Sequence, residues 1–154
     1  MGLDCEMVPR EVFRPEAEKK RPVVVFDKPL LDDLTAQAKA SPRLRMNYDL
    51  RNSPLDCSQR MLNAIEPGTV VTIHRHRALS ETMVCVRGRA EVSFYDEAGA
   101  VTDVYELLPG CSFLNIPESQ WHSVKSLESG TVIMCVIDGQ YVPPGEDEVM
   151  AQVQ

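Results

Sequence analysis

Two periodicities divide the chain. Between Pro29 and Ala40, the residues Leu30, Leu31, Leu34 and Ala38 fall on one stripe of a 3.6-residue repeat, which predicts an amphipathic helix. Pro29 suits its first turn, and Ser41-Pro42 stops it because the residue before proline is pushed out of helical geometry. From Ser58 onward the pattern shortens to segments rich in β-branched and aromatic residues: RMLNAI, TVVTIH, TMVCVRG, AEVSFY, VTDVYELL, CSFLNI and TVIMCVID. Turn signals at Pro67-Gly68, Gly88, Gly99, Pro109-Gly110, Gly130 and Gly139 separate them. Many short strands at that spacing imply a sandwich or barrel, so the expected fold is a mostly β single domain with one N-terminal helix. VVVF at 23–26 reads as a further short strand. Residues 1–21 mix charges and prolines without periodicity and read as a tail or arm preceding a domain over 22–154. The stretch VPPGEDEVMAQVQ is expected to cap the barrel or fray.

Composition narrows the function classes. A chain of 154 residues can bury one core without disulfide or metal staples. No apolar run approaches the ~18 residues of a membrane helix, and the first twenty residues lack the basic-then-apolar order of a secretory leader, so a soluble, cytoplasmic protein is expected. The formal net charge of -7 disfavours nucleic acid and anionic membranes as partners. The expected partner is a small molecule, anionic or sugar-like, with a second copy in a homodimer as the other candidate. Five scattered cysteines without a C-x-x-C pair suit free thiols in a reducing compartment, and Cys85, Cys111 and Cys135, in apolar strand-like segments, read as small buried hydrophobes.

Chemistry concentrates on three histidines, the only ones in the chain. His74 and His76 are two apart, which in a strand sends both imidazoles to the same face. Glu81 follows across a predicted turn, and a set of neutral imidazoles with a carboxylate suits one borderline divalent ion. The order from Gly68 through His74, His76 and Glu81 to Gly88 resembles the first motif of the cupin superfamily: glycine, five residues, H-x-H, three or four residues, glutamate, six residues, glycine. The second cupin motif is met more loosely by Gly110, CSFLNI, Pro117, Glu118, Ser119, QW, His122, SVK and Ser126. One residue is added before Pro117, Ser119 stands where glycine is usual, and Ser126 replaces asparagine. The resemblance implies a jelly-roll barrel holding one metal ion (zinc, nickel, iron or manganese) on His74, His76 and His122, with Glu81 as fourth protein ligand.

SPRLRMNYDLR from Ser41, QRMLNAIEPGT leading into HRH, and the WHSV run further resemble the WbuC-type family of small cupins, over most of residues 23–140. That resemblance implies a setting in bacterial surface polysaccharide synthesis without naming a reaction. Arg43, Arg45 and Asn47, in a polar linker after the helix, and Arg60 and Asn63, on the strand before the motif, are the expected substrate contacts, since arginine forks clamp carboxylate or phosphate and asparagine bonds sugar hydroxyls. Arg60 and Asn63 differ in strand parity, and Asn63 is the expected inward residue. Trp121 alternates with His122 and is expected to point away from the metal. Three functions stand open: a metal-dependent isomerase or lyase on a sugar-related or small oxygenated anion, a metal-dependent dioxygenase, and a non-catalytic sugar- or effector-binding module.

Overall fold

The computed structural model describes residues 23–150. The expected tail over residues 1–21 lies outside them.

Helix α1 (Lys28–Ala40) starts where Asp27, in extended geometry, accepts the Leu30 amide on its carboxylate at 3.1 Å, and it ends at Ser41. Leu31, Leu34 and Ala38 are buried as the stripe predicts, with Thr35 joining them. Eight strands follow: β1 (Arg45–Asp49), β2 (Ser58–Ile65), β3 (Glu81–Arg87), β4 (Ala90–Tyr95), β5 (Val101–Leu107), β6 (Phe113–Ile116), β7 (Trp121–Ser126) and β8 (Thr131–Asp138). They form two antiparallel sheets, ordered β1-β2-β8-β3-β6 and β5-β4-β7.

Period-two alternation gives the larger sheet two destinations. Leu62 and Ala64 of β2 and Val132 of β8 pack under the helix stripe, with Met46, Tyr48 and Met134 around them. The alternate residues, among them Ile65, Met83, Cys85, Ile133 and Cys135, turn inward against Ala90, Val92, Leu107 and Val124 from the other sheet and its neighbours. Both faces of β2 and β8 are therefore buried, which is why RMLNAI and TVIMCVID read as nearly unbroken apolar runs. Arg87 ties the helix to this body: its guanidinium donates to the Leu31 carbonyl, the Thr35 hydroxyl and Asp32, each at 2.7 Å.

Four expectations change. Residues 23–26 form no strand, and Val23 and Val25 are exposed: β-branched propensity yields a strand only where a ladder is free to receive it, and β1 already occupies that edge of β2. The polar linker after the helix is in fact that edge strand, with Arg45 opposite Ile65 and Asn47 opposite Asn63. TVVTIH is not a ladder strand either; its regular pairing is confined to bridges at His74. Cys111 is exposed, because it lies in the turn before β6 rather than inside the strand, whereas Cys85 and Cys135 are buried as expected.

Candidate metal centre

Glu81 opens β3 and His122 is the second residue of β7, so the two sheets each bring one group to the same end of the interior. The segment carrying His74 and His76 bridges them. His74 exchanges backbone hydrogen bonds with His122 at 3.0 and 2.9 Å, and on its other side pairs with Val149. The Arg75 amide donates to the Glu148 carbonyl, and the Met150 amide to the Ile73 carbonyl, so the C-terminal stretch is stitched to the histidine-bearing segment and does not fray there. The turn preceding His122 closes against the same segment. Ser119 has φ of 63°, the left-handed region, with its amide donating to the His76 carbonyl at 2.7 Å and its hydroxyl to the Arg77 carbonyl at 3.0 Å. Serine here adopts the backbone of the glycine usual in the motif, and its side-chain bond offsets part of the ~1–2 kcal/mol that a left-handed residue costs.

His74, His76, Glu81 and His122 each direct one ligating atom to a common point, all within 4.8 Å of one another. Glu81 and His122 are buried, at 3% and 1% exposure, while His74 and His76 sit at the more open side. The imidazole tautomers follow from their neighbours. His74 Nδ1 donates to the Thr72 carbonyl and His122 Nδ1 to the Gln120 carbonyl, each at 2.9 Å, which leaves Nε2 of the neutral rings as an acceptor. His122 Nε2 nevertheless lies 3.2 Å from Glu81 Oε2, and His76 Nε2 lies 3.3 Å from the same oxygen. His76 Nε2 is buried without a hydrogen bond of its own. A divalent ion at ~2.0–2.2 Å from each atom would satisfy these acceptors and the carboxylate together. The residues present thus fit a metal.

The electrostatics agree. Burial, reinforced by the charge of His122, pushes His74 down to about 4, so this ring stays neutral and ready to ligate near neutral pH. Burial alone would raise the Glu81 carboxyl, but the His122 and His76 side chains facing it more than offset that and hold the group below the ordinary carboxylate range. The Cys135 thiol is pushed well up by burial and then by the nearby Glu81 charge. A sequence reading of Cys135 as a small hydrophobe finds its burial and misses this charge.

Below the quartet lies a cavity of about 360 Å³. Asn63 lines it, as its parity predicts, together with Arg45, Gln59, Met61 and Tyr141. Gln59 and Met61 were within reach of the same parity argument, which puts every second residue of β2 on one face. Arg43 and Asn47 line instead an adjoining cleft of about 350 Å³, which Arg45 and Asn63 also border. Arg60 is on the other face of β2, paired with Asp56 at 3.1 Å, and does not line the cavity. Trp121 points away from the quartet, its indole donating to Glu97 and the Arg75 guanidinium stacked on its ring at 4.2 Å.

A family model described as a domain of unknown function, DUF6016, matches residues 26–107, more than half of the chain. The chain belongs to the DUF6016 family. No curated protein matches this DUF6016 chain. Among solved structures it is similar to KdgF from Halomonas sp., at 19% identity over 66% of this chain and 84% of that one, with a TM-score of 0.54. It is also similar to oxalate decarboxylase from Bacillus subtilis at pH 4.6, at 21% identity over 69% of this chain and 27% of that one, TM-score 0.51. A further structure of the Bacillus subtilis enzyme, described for its Mn(II) centres, matches at 22% identity over 68% and 27%, TM-score 0.50. The DUF6016 chain thus spans about a quarter of the decarboxylase. At these identities the likeness shows the fold, a single-domain, mostly β cupin.

Proposed function

We propose that this DUF6016 chain is a metal-dependent enzyme that holds one divalent ion on His74, His76 and His122, with Glu81 as fourth ligand, and acts on a small oxygenated anion. The convergence of the four ligating atoms carries the reading. An ion bound there would serve as a Lewis acid toward substrate oxygens. The chain's own groups supply the rest. Glu81 offsets the ion's charge, the Thr72 and Gln120 carbonyls fix the orientation of His74 and His122, and Arg45 presents a guanidinium on the cavity wall. Arg43 and Arg45 stand beside each other with no ion pair to a described acidic residue, which suits an anionic ligand. The WbuC-type resemblance in SPRLRMNYDLR and WHSV supports placing the reaction near bacterial surface polysaccharide synthesis.

Protein purified without an affinity-tag nickel column should contain one divalent ion per chain by elemental analysis, and a sub-stoichiometric content after dialysis against zinc, manganese and iron in turn would sink the reading. Arg45→Lys should leave that metal content unchanged and weaken binding of an anionic ligand by about 1.5–3 kcal/mol, because lysine keeps the charge and loses the bidentate fork. Arg43→Lys should weaken it less, since Arg43 borders only the adjoining clefts. Calorimetry on both variants checks the order.

A further inference from the structure

The polar groups of the cavity are gathered at its two ends. In the ladder register Glu81 and Gln59 both face Ile137, whereas Arg45 faces Ile65. Positions 59 and 65 are six residues apart on β2, so the metal quartet and Arg45 anchor to rows separated by roughly 20 Å along the strand direction. Between those rows the wall is apolar: Met61, Met83, Val71, Val124 and Ile133 line it. Two polar side chains of β2 border this stretch, Gln59 in the row of the metal quartet and Asn63 two residues from the row of Arg45, with Met61 between them. The Gln59 amide donates to the Gly139 carbonyl.

We infer that the ligand is an acid with an apolar body: an oxygen-bearing head for the metal, a hydrocarbon middle, and an anionic tail for Arg45. This rests on the metal-centred reading above and names the substrate class for that site. A polyhydroxylated sugar acid of the same length would press its middle hydroxyls against Met61 and Met83, which offer them no hydrogen-bond partner. Each hydroxyl desolvated in that way costs about fivefold to a hundredfold in affinity. A methylene in the same place gains about fourfold, the transfer free energy of one buried CH₂. The middle of the cavity therefore selects against hydroxyls on the carbons that lie there, and the two polar ends select for a molecule long enough to reach both.

The test is a calorimetric series of 2-oxo diacids from 2-oxoglutarate through 2-oxoadipate to 2-oxosuberate, with galactarate as the six-carbon polyol diacid. Each is measured on protein of known metal content, before and after chelation. Affinity should climb about fourfold or more per added methylene until the tail carboxylate reaches Arg45, and galactarate should bind more than tenfold weaker than 2-oxoadipate. A flat series, no binding by any member, or galactarate binding as tightly as 2-oxoadipate overturns the inference. Chelation reports on the other question. A uniform loss of affinity that leaves the chain-length slope intact supports both readings, whereas an unchanged affinity with the same slope overturns the metal-centred reading and leaves the apolar body standing. Met61→Gln, which puts an unpaired amide in the middle of the wall, should flatten the slope while the metal content stays as in the parent.

Discussion

Replacing His122 with alanine should lower metal affinity by more than a hundredfold, and elemental analysis after dialysis should find little metal on the variant. Removal of outer-shell partners alone costs 10–100-fold at metal sites, and His122 would be a direct ligand. It is also the ligand best held in place: 1% exposed, with Nδ1 fixed by the Gln120 carbonyl and its backbone bridged to His74. Circular dichroism separates loss of the site from loss of the fold. A variant that is folded and fully loaded would remove His122 from the ligand set.

The largest effect on stability is expected at Gly88. This glycine has φ of +80°, and a β-carbon built there would lie 2.5 Å from the Thr131 hydroxyl oxygen and 2.7 Å from the Thr131 α-carbon. Thr131 is completely buried and cannot swing aside, since its hydroxyl donates to the Glu128 carbonyl at 2.8 Å and accepts the Arg89 amide at 3.2 Å. Gly88→Ala therefore combines a left-handed backbone, at ~1–2 kcal/mol, with overpacking against backbone, at ~1–3 kcal/mol. A loss of about 2–5 kcal/mol is expected, read as a lower midpoint in urea with the same slope. A variant within about 0.5 kcal/mol of the parent would show that the β3–β4 turn relaxes freely. Gly110 makes the contrast: it also has a positive φ but nothing within 4 Å of a built β-carbon, so alanine there should cost only the backbone part.

Much of this architecture is legible in the sequence, and the failures share a cause. Segments whose partners lie on both sides, such as RMLNAI and TVIMCVID, carry strong apolar patterns and became β2 and β8. The helix has its own start, stripe and stop, none of which needs tertiary information. By contrast, Arg45–Asp49 looks polar because an edge strand pairs on one side only, and its residues alternate between the helix and the cavity rim. TVVTIH has strand composition but spends its backbone on isolated bridges to two sequence-distant segments, which no local pattern records. The histidine spacing nevertheless delivered the quartet, since what matters is where the side chains meet and not which ladder holds them. Arg60 shows the limit of composition: a chemically apt residue on the wrong parity, spent on Asp56. Cys135 shows the reverse, a residue whose apolar surroundings conceal the nearby Glu81 charge that helps push its thiol up.

The stitching of residues 148–150 to the histidine-bearing segment makes those residues a reporter of the metal. Arg75 and Met150 each donate their amide across that seam, at 3.0 and 2.9 Å. Because the seam is a single bridge flanked by two backbone hydrogen bonds rather than a full ladder, its opening is a local event, cheaper than global unfolding. An ion that binds only when His74 and His76 are in register favours the closed form, so its binding free energy is added to the cost of opening. Amide hydrogen exchange at Arg75 and Met150 should therefore slow on metal addition and speed up on chelation, while the amides of β2 and β8 keep their rates. Exchange at residue 150 would then measure occupancy of a site to which that residue contributes no ligand.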